Sequence, residues 1–543
     1  MGTTFANLNI HRLSINEAIK LIPGCLARQF DPEWITITSE NFQCGAMDKV
    51  SKKISKMIDS PILTTEVFDD DLLILRVFRN GKNTAKHACG LDLGDIKKLS
   101  KPAAFIEELE LPENYTEYLK WIFKCEDLGK KIQLLEKTLG IPLWIDYDMI
   151  SDLYNKYESI HRDLDYVENY IKENKALEKI KNVTKAKELM ELDGKIYQVL
   201  GHNKYLIHRP SSDENYHEFR EHFVYALSSE GVLEPLFDLS AFNVDSFNQH
   251  IKASKTVVAM LENLPIYETN FTLFDLQGTL LGEIKLPKED GYPLIVFEDG
   301  GIICSSQGKE QFIAEYGVDG QKKWELEVGY LNIEPIYHNG YIYLYYTNFN
   351  TNKSELLKIN RNGEIVKNVD LKLCGGSHWK TLLFDSNGNF YVCLHVKDNE
   401  SYYDKLFYID SYLNIISELT IDASSVEGVL DSENNRLYIS IFEKELLAVD
   451  IEKNLIYVRK KYEGFSRMGL TDKNGRLMMI KGMSTVEVFD PELNIISRHR
   501  LKGIIHDKYK NSNGNVCFIT SQMPSDAFIT DNVKSTLRVY EIV

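Results

Sequence analysis

The chain has 543 residues, of which 43% are hydrophobic and 26% are charged, and its formal net charge is −17. A chain of this length is too long for one hydrophobic core and should divide into two or more domains. Its acidic surface repels nucleic acid backbones and anionic membranes, so the charge predicts neither of them as a partner.

The eight cysteines are scattered without CxxC spacing, which predicts reduced thiols rather than a disulfide framework or a metal site. Residues 1–7 carry no basic or apolar stretch of the kind that opens a secretory signal. No apolar run approaches the length of a membrane span. Together these features favour a cytoplasmic protein.

Residues 1–148 are predicted to form an α+β module. Strands are expected at 34–38, 62–68, 72–78 and 84–88, with a solvated turn at 69–71 and a hairpin at Asn80-Gly81. Helices are expected at 47–58, 112–124 and 128–139, the last ending at Gly140. This pattern resembles the N-terminal segments of uncharacterised bacterial proteins, and it contains no motif that assigns functional residues.

Residues 149–194 are predicted to form a helical connector between two domains. Apolar residues step by four and three residues along it, as in a heptad seam: Leu153, Tyr157, Ile160, Leu164, Val167 and Ile171. The seam ends at Asn174, short of the length of a sustained coiled coil. It therefore packs either within the chain or, as a dimer contact through 153–171, against a second copy. We expect packing within the chain and a monomer.

Residues 195–543 contain a repeat that is clearest from 406 to 501. An apolar strand, a turn ending in Asn and a second strand recur, with the asparagines Asn414, Asn454 and Asn494 spaced by 40 residues. A second set of turns, such as Asn387-Gly388 and Asn474-Gly475, falls between these units. Two hairpins in roughly 43 residues give the four antiparallel strands of a β-propeller blade.

The third strands of these units predict the number of blades. They begin near Phe223, Phe271, Phe312, Leu356, Leu406, Leu446, Val486 and Leu537. The count predicts eight blades and leaves seven open, because residues 195–265 are the least regular. The last unit stops after its third strand, and a strand near Ile196–Leu200 is expected to complete it.

This repeat pattern resembles the quinoprotein-like and WD40-like propellers. The resemblance covers about two-thirds of the chain and implies a fold, not an activity. Trp-Asp dipeptides are absent, and only Trp324 and Trp379 fall in this region, so the regular tryptophan docking of quinoprotein blades is missing.

The sequence contains partial matches to several metal-binding motifs. The sequence from His217 to His222 places its second histidine at i+5, whereas the zincin helix needs i+4. The Asp-containing turns at 385–389 and 472–475 are explained as hairpins rather than calcium loops. No nucleophile elbow, P-loop or dinucleotide-binding motif is present. The sequence therefore predicts no metal, no cofactor and no enzymatic activity.

One group of residues remains as a candidate site. Ligand sites of propellers gather where the innermost strands begin, around the central channel. By the repeat register these positions are Tyr292, Glu334, His378, Glu427, Arg467 and His506. An arginine with histidines and glutamates can bind a small charged ligand or exchange protons, and the same residues can also be a hydrated lining. Glu427 is expected to oppose anion binding or to pair with Arg467.

The favoured function is a non-enzymatic protein-interaction scaffold, in which the propeller presents a rigid face to a protein partner. The alternative is a propeller enzyme or a binder of a small charged ligand at the mouth of the channel.

Overall fold

In a computed structural model the chain is described over 18 segments. They are residues 4–68, 72–90, 99–125, 128–145, 162–178, 182–209, 221–240, 251–263, 269–286, 290–306, 312–348, 353–371, 382–398, 401–421, 425–441, 444–462, 466–522 and 536–543. The predicted turn at 69–71, the first half of the heptad seam and His378 lie outside these segments. The chain divides into two compact units, an N-terminal unit up to residue 181 and a C-terminal unit from residue 182.

The N-terminal unit contains an antiparallel sheet of six strands in the order β2-β3-β1-β4-β5-β6. Its strands are β1 Phe5–His11, β2 Leu26–Asp31, β3 Trp34–Thr38, β4 Ile62–Phe68, β5 Leu72–Arg79 and β6 Lys82–Gly90. Its described helices are α1 Ile15–Leu21, α2 Met47–Ile54, α3 Pro102–Glu108, α4 Tyr115–Lys124, α5 Leu128–Leu139 and α6 Leu164–Glu178.

The sheet of the N-terminal unit is buried on both faces, because alternate residues of a strand point to opposite sides. One set of its side chains packs with α3 to α6, and the other set packs with α1 and α2. Val167 and Ile171 of α6 are buried in the first of these cores. The described half of the heptad seam therefore packs within its own unit.

The C-terminal unit contains eight four-stranded antiparallel sheets among its described residues. The first four are sheet 1 (β8 Lys195–Gly201, β9 Lys204–Arg209, β10 Glu221–Leu227, β11 Leu233–Asp238), sheet 2 (β12 Ile251–Ala253, β13 Val257–Asn263, β14 Thr269–Asp275, β15 Leu280–Leu286), sheet 3 (β16 Asp290–Val296, β17 Ile302–Ser306, β18 Phe312–Tyr316, β19 Lys322–Glu327) and sheet 4 (β20 Tyr330–His338, β21 Tyr341–Asn348, β22 Lys353–Asn360, β23 Ile365–Asp370).

The other four sheets repeat the same strand order. They are sheet 5 (β24 Leu383–Phe384, β25 Phe390–Asp398, β26 Ser401–Ile409, β27 Ile415–Ile421), sheet 6 (β28 Ser425–Asp431, β29 Arg436–Ile441, β30 Glu445–Asp450, β31 Leu455–Lys461), sheet 7 (β32 Ser466–Thr471, β33 Leu477–Lys481, β34 Thr485–Phe489, β35 Ile495–Arg500) and sheet 8 (β36 Ile504–Lys510, β37 Val516–Gln522, β38 Thr536–Ile542, β7 Ala186–Asp193). A short 3-10 turn spans Ser432–Asn434.

The sheets are arranged as in a β-propeller. The first strand of each sheet lies beside the first strand of the next in most neighbouring pairs, and mixed apolar clusters join sheet 4 to sheet 5 and sheet 8 to sheet 1. A register shift recurs between the third and fourth strands of all eight described sheets. The predicted resemblance to propeller repeats is confirmed at the level of the fold.

The strand that completes sheet 8 differs from the sequence prediction. β7 pairs with β38 through contacts such as Leu192 with Leu537, whereas the strand near Ile196–Leu200 is the first strand of sheet 1. Residues 182–194 therefore belong to the C-terminal unit and not to a helical connector. Two hydrogen bonds connect the residues before β7 to sheet 7. Arg498 N donates to the Asn182 side-chain oxygen, and the Thr184 amide donates to Ser497 Oγ.

The turns follow two local rules. Glycines supply positive φ at most predicted hairpins, for example +80° at Gly388 and +79° at Gly363. Two of the three turns of the 40-residue repeat differ, because φ is positive at Leu413 (60°) and Leu493 (59°) and not at the asparagines that follow them. In the third turn, Asn454 itself has a φ of 47°. In the turns that contain Leu413 and Leu493, an aspartate side chain accepts the amide of the asparagine, as Asp410 Oδ1 does at 2.7 Å from Asn414 N.

The repeated asparagines connect neighbouring sheets. Lys367 Nζ of sheet 4 donates to Asn414 Oδ1 of sheet 5 at 2.7 Å, and Lys460 of sheet 6 makes the equivalent bond to Asn494 of sheet 7. Asn454 of sheet 6 donates to the Glu418 carbonyl oxygen of sheet 5 at 3.2 Å. The periodicity that reveals the fold therefore also marks contacts between blades.

The seven described cysteines are free thiols. Among the described residues, no helix is both long enough and apolar enough to span a membrane.

Candidate functional site

The first strand of each sheet is an edge strand, because it pairs only with the second strand. Its other side carries backbone N–H and C=O groups that need partners from outside the sheet. Glu427 lies on β28, Arg467 on β32 and His506 on β36, so these predicted site residues stand on the first strands of sheets 6, 7 and 8.

Charged side chains of these three strands supply partners to the neighbouring backbone. Glu427 Oε2 accepts the Met468 amide at 2.6 Å, and Arg467 Nη2 donates to the Ile505 carbonyl oxygen at 2.8 Å. Lys508 Nζ donates to the Met468 carbonyl oxygen. Both backbone groups of Met468 are thus held by side chains from the sheets on either side of it.

The same kind of contact recurs in sheets 1 to 3. Gln198 Nε2 of β8 donates to the Ile251 carbonyl oxygen at 3.0 Å, and Lys252 Nζ of β12 donates to the Leu294 carbonyl oxygen at 3.3 Å. We call the set formed by Gln198, Lys252, Glu427, Arg467 and Lys508 the inner-strand ties.

The polar groups around Arg467 influence one another. Burial and the nearby Arg467 charge lower the pKa of His506, while Asp507 opposes the shift. The His506 ring is therefore neutral near pH 7, and its Nε2 is hydrogen-bonded to Ser521 Oγ. Burial also lowers the pKa of Lys508; Glu427 and Asp507 raise it and Arg467 lowers it further.

A tyrosine of sheet 1 completes this group. Tyr205 of β9 is fully buried and its hydroxyl donates to Asp507 Oδ2 at 2.7 Å. Burial and the Asp507 charge raise the pKa of Tyr205, so the hydroxyl keeps its proton. We call Tyr205, Glu427, Arg467, His506, Asp507 and Lys508 the inner cluster.

The structure brings together three of the predicted site residues and separates a fourth from them. Glu427, Arg467 and His506 fall in the inner cluster, whereas Glu334 of β20 is 73% exposed and lies 3.5 Å from Lys252 Nζ. Glu427 Oε2 accepts the Met468 amide, and the ion pairs of the described residues do not include one between Glu427 and Arg467. The other expectation for Glu427, that it opposes anion binding, stays a prediction. His378 and the side chain of Tyr292 lie outside the description.

Sequence reasoning missed Tyr205, Asp507 and Lys508. Lys508 is two residues beyond His506 on the same strand, so strand periodicity alone offered a signal for it. A register shift between Ile505 and Asp507 alters that periodicity at His506. Tyr205 lies about 300 residues away in sequence, and only closure of the ring brings it to Asp507.

The inner cluster is charge-balanced, with two carboxylates beside one guanidinium and one ammonium group. Its hydrogen-bonding groups are largely committed to backbone atoms and to one another. Such an arrangement holds sheets 6, 7, 8 and 1 in fixed positions. Within the described segments, no group of three or more His, Cys, Asp or Glu side chains is placed to hold a metal ion.

Comparison with protein-family models finds no match, and comparison with curated proteins finds none. Among solved structures, the chain is similar to BamB from Moraxella catarrhalis, with 11% identity, a TM-score of 0.43, and coverage of 66% of this chain and 97% of that one. It is similar to the Dos1 propeller, with 12% identity, a TM-score of 0.40, and coverage of 67% and 95%.

A third similar structure is the quinohemoprotein alcohol dehydrogenase from Comamonas testosteroni. Its identity is 8%, its TM-score is 0.42, and the match covers 66% of this chain and 77% of that one. The description of the C-terminal unit as a β-propeller rests on its own sheets and strand order.

Proposed function

We propose that this protein is a cytoplasmic, non-enzymatic scaffold whose eight four-stranded sheets are the blades of one propeller, and that the propeller presents a rigid surface to a protein partner. The net charge of −17 makes nucleic acid an unfavourable partner. Packing of α6 within its own unit supports a monomer.

The observation that carries this proposal is that the inner-strand ties form hydrogen bonds to backbone atoms of adjacent sheets. Glu427 accepts a backbone amide of the adjacent sheet, and Arg467 and Lys508 each donate to a backbone carbonyl oxygen of an adjacent sheet. Hydrogen bonds to charged groups contribute about 1.5–3 kcal/mol each to stability. These contacts therefore favour side chains that hold the sheets together over side chains that are free to bind a ligand in the channel.

Exposed apolar residues on adjacent sheets offer a surface for the partner. Ile365 and Val366 open the fourth strand of sheet 4, Ile415 and Ile416 open that of sheet 5, and Leu455 opens that of sheet 6. Each is between 44% and 54% exposed. We call these five residues the apolar rim. We propose that they form one patch, since contiguous exposed apolar groups are typical of protein interaction sites.

The test is capture of partners by the full-length protein, followed by binding measurements with the purified partner. Changing Val366, Ile416 and Leu455 together to lysine should weaken binding at least tenfold, because three apolar contacts are replaced by charges. The control is Ile19→Lys, which charges an equally exposed apolar residue of the N-terminal unit. A partner that binds both variants as tightly as the wild type would refute the proposed surface.

A second candidate function is binding or conversion of a small charged ligand at the inner cluster. The half-buried ammonium of Lys508 near Arg467 favours it, since two cations close together suit a carboxylate or phosphate group. Thermal-shift screening with metabolites would test it. A stabilising metabolite whose effect disappears in Arg467→Ala, together with turnover, would favour this function over the scaffold.

A further inference from the structure

The outer edge of sheet 6 is an interaction surface separate from the inner cluster. β31 is the fourth strand of this sheet and pairs with β30, which leaves its other edge unpaired within the sheet. An unpaired edge carries a row of backbone N–H and C=O groups, and it can accept an added strand. The direction of these groups and the charge of the side chains beside them determine which segment fits.

The hydrogen bonds between β30 and β31 show which backbone groups point outward. The Tyr462 amide donates to the Lys444 carbonyl oxygen at 2.8 Å, so these two residues form a hydrogen-bonded pair. Bonded and non-bonded pairs alternate along antiparallel strands, and the register places Arg459 and Lys461 in non-bonded pairs. The backbone N–H and C=O groups of Arg459 and Lys461 therefore point away from β30.

Sheet 7 shows how such an edge is covered in this protein. On its outer strand β35, the Arg498 amide donates to the Asn182 side-chain oxygen at 2.9 Å, and the Ile496 carbonyl oxygen accepts the Val183 amide at 3.2 Å. Residues 182–184 therefore follow the outer edge of β35 in the antiparallel direction. An outer edge of this unit thus accepts an extended segment.

In sheet 6 the described residues provide no such cover. Arg459 lies three residues before Tyr462, where its ladder ends, and Arg498 lies three residues before Leu501, where the equivalent bond ends the ladder of β35. The two arginines are therefore in equivalent positions. The hydrogen bonds of the described residues do not include one from the Arg459 amide to a segment outside the sheet. An edge of the same geometry is thus covered in sheet 7 and uncovered, among the described residues, in sheet 6.

The side chains of β31 favour an acidic segment. Of the eight outer strands, β31 and β35 carry basic residues and no acidic ones. β31 ends in Arg459, Lys460 and Lys461; Lys460 donates to Asn494 Oδ1 of sheet 7, and the other two are exposed. Arg459 also pairs with Glu445 of β30 at 3.0 Å. Three basic residues on one open strand make it complementary to a short acidic segment, even though the whole chain has a net charge of −17.

We propose that the outer edge of β31 binds an extended acidic segment of a protein partner, which adds as an antiparallel strand and places two glutamates beside Arg459 and Lys461. Directly opposite residues of antiparallel strands lie on one face, so a Glu-x-Glu sequence brings both carboxylates to these two cations. The proposal rests on the scaffold function and adds the chemistry of the partner. Leu455 of the apolar rim begins the same strand, which makes the two surfaces continuous.

The experiment measures binding of a labelled, end-capped peptide, Thr-Glu-Val-Glu-Val-Thr, to the full-length protein by fluorescence anisotropy. Methylating the two glutamate amides removes the donors that would face β31, whereas methylating the two valine amides removes donors that would face away from it. The valine-methylated peptide should bind like the original. The glutamate-methylated peptide, and a peptide with glutamine in place of glutamate, should bind at least tenfold more weakly.

A double variant of the protein tests the basic residues. Arg459→Gln combined with Lys461→Gln should weaken binding of the original peptide about tenfold, because two exposed ion pairs are lost. The control is Lys285→Gln, which neutralises an exposed lysine on β15, the outer strand of sheet 2, and should leave binding unchanged. All the changed residues are exposed, so Tm should stay within about 2 °C of the wild type in every variant.

Several results would overturn the proposal. Absence of binding at about 1 mM peptide would leave the basic residues as a means of keeping the edge unpaired. Equal binding by the glutamate-methylated peptide, or binding of oligothymidylate as tight as that of the peptide, would reduce the surface to a general attraction for anions. A doubled mass in light scattering that the double variant abolishes would assign the edge to a second copy of the chain.

Failure of this proposal can be told from failure of the scaffold function. A partner that is captured by the wild type, with no binding of the peptide, would keep the scaffold and overturn the acidic segment. Binding of the peptide with the predicted pattern across the methylated forms and variants, with no partner captured, would support the edge of β31 and count against the scaffold.

Discussion

Gly469 offers a direct test of the first strand of sheet 7. It follows Met468, whose backbone is held by the inner-strand ties, and it lies where the pairing of β32 with β33 shifts in register. A Cβ atom at this position would lie 1.8 Å from the Met478 carbonyl oxygen and 2.7 Å from the carbonyl carbon. The obstacle is backbone, and Met478 and Met479 are fully buried, so little can move aside.

The change Gly469→Ala should therefore destabilise the C-terminal unit severely. Inserting one carbon into a packed core costs about 1–3 kcal/mol where neighbours can adjust, and we expect about 3 kcal/mol here because the backbone must shift. For a large domain, 1 kcal/mol lowers Tm by about 2–4 °C, which predicts a fall of roughly 6–12 °C. Differential scanning calorimetry measures the change.

The control for this experiment is Gly340→Ala. Gly340 has a φ of 84°, and a Cβ atom there would meet nothing within 4 Å. Its cost is backbone strain alone, about 1–2 kcal/mol. If Gly469→Ala unfolds within 1 °C of the wild type, the close approach of β32 to β33 is wrong, and with it the placement of Arg467 and Met468.

Three further predictions concern the N-terminal unit. Glu66 is fully buried and pairs with Arg76, so Glu66→Gln should cost about 3–5 kcal/mol of unfolding free energy in urea, and a loss below 1 kcal/mol would contradict the buried pair. Burial and the Lys131 charge lower the pKa of His87 from 6.5 to about 3, so the unfolded chain takes up the extra proton as pH falls. Stability should then drop by about 2 kcal/mol between pH 6.5 and 5, and His87→Gln should remove that loss. Val167→Lys should destabilise the protein without changing its mass in light scattering; a dimer that becomes a monomer would contradict packing of α6 in its own unit.

The regular parts of the fold were predictable because local patterns determine them. Strand β4 and helix α5 have the predicted bounds, since β-branched residues and a Gly140 cap mark them in the sequence. Strand β1 was missed. Its Asn7 and Asn9 are fully buried, where Asn7 donates to the Leu143 carbonyl oxygen at 2.9 Å, and partners more than 100 residues away leave no local signal.

The strand that closes the ring and the contacts of the candidate site were also not predictable from local sequence patterns. β7 is the outer strand of sheet 8, so much of Ala186–Asp193 faces solvent and its apolar pattern is weak. The repeat register did place Glu427, Arg467 and His506 on first strands. It could not show that their hydrogen bonds go to neighbouring backbone, because that depends on how adjacent sheets meet.

Closure of the ring by β7 is the claim on which the rigid scaffold depends. Comparing thermal unfolding of two shortened chains, residues 182–543 and residues 195–543, tests it most directly. The first keeps β7 beside β38, and the second leaves β38 with an open edge. We predict that the longer chain unfolds in one cooperative transition and that the shorter one aggregates or unfolds more than 10 °C lower, since an exposed edge strand and lost pairing both act against it. Equal stability of the two chains would contradict closure by β7.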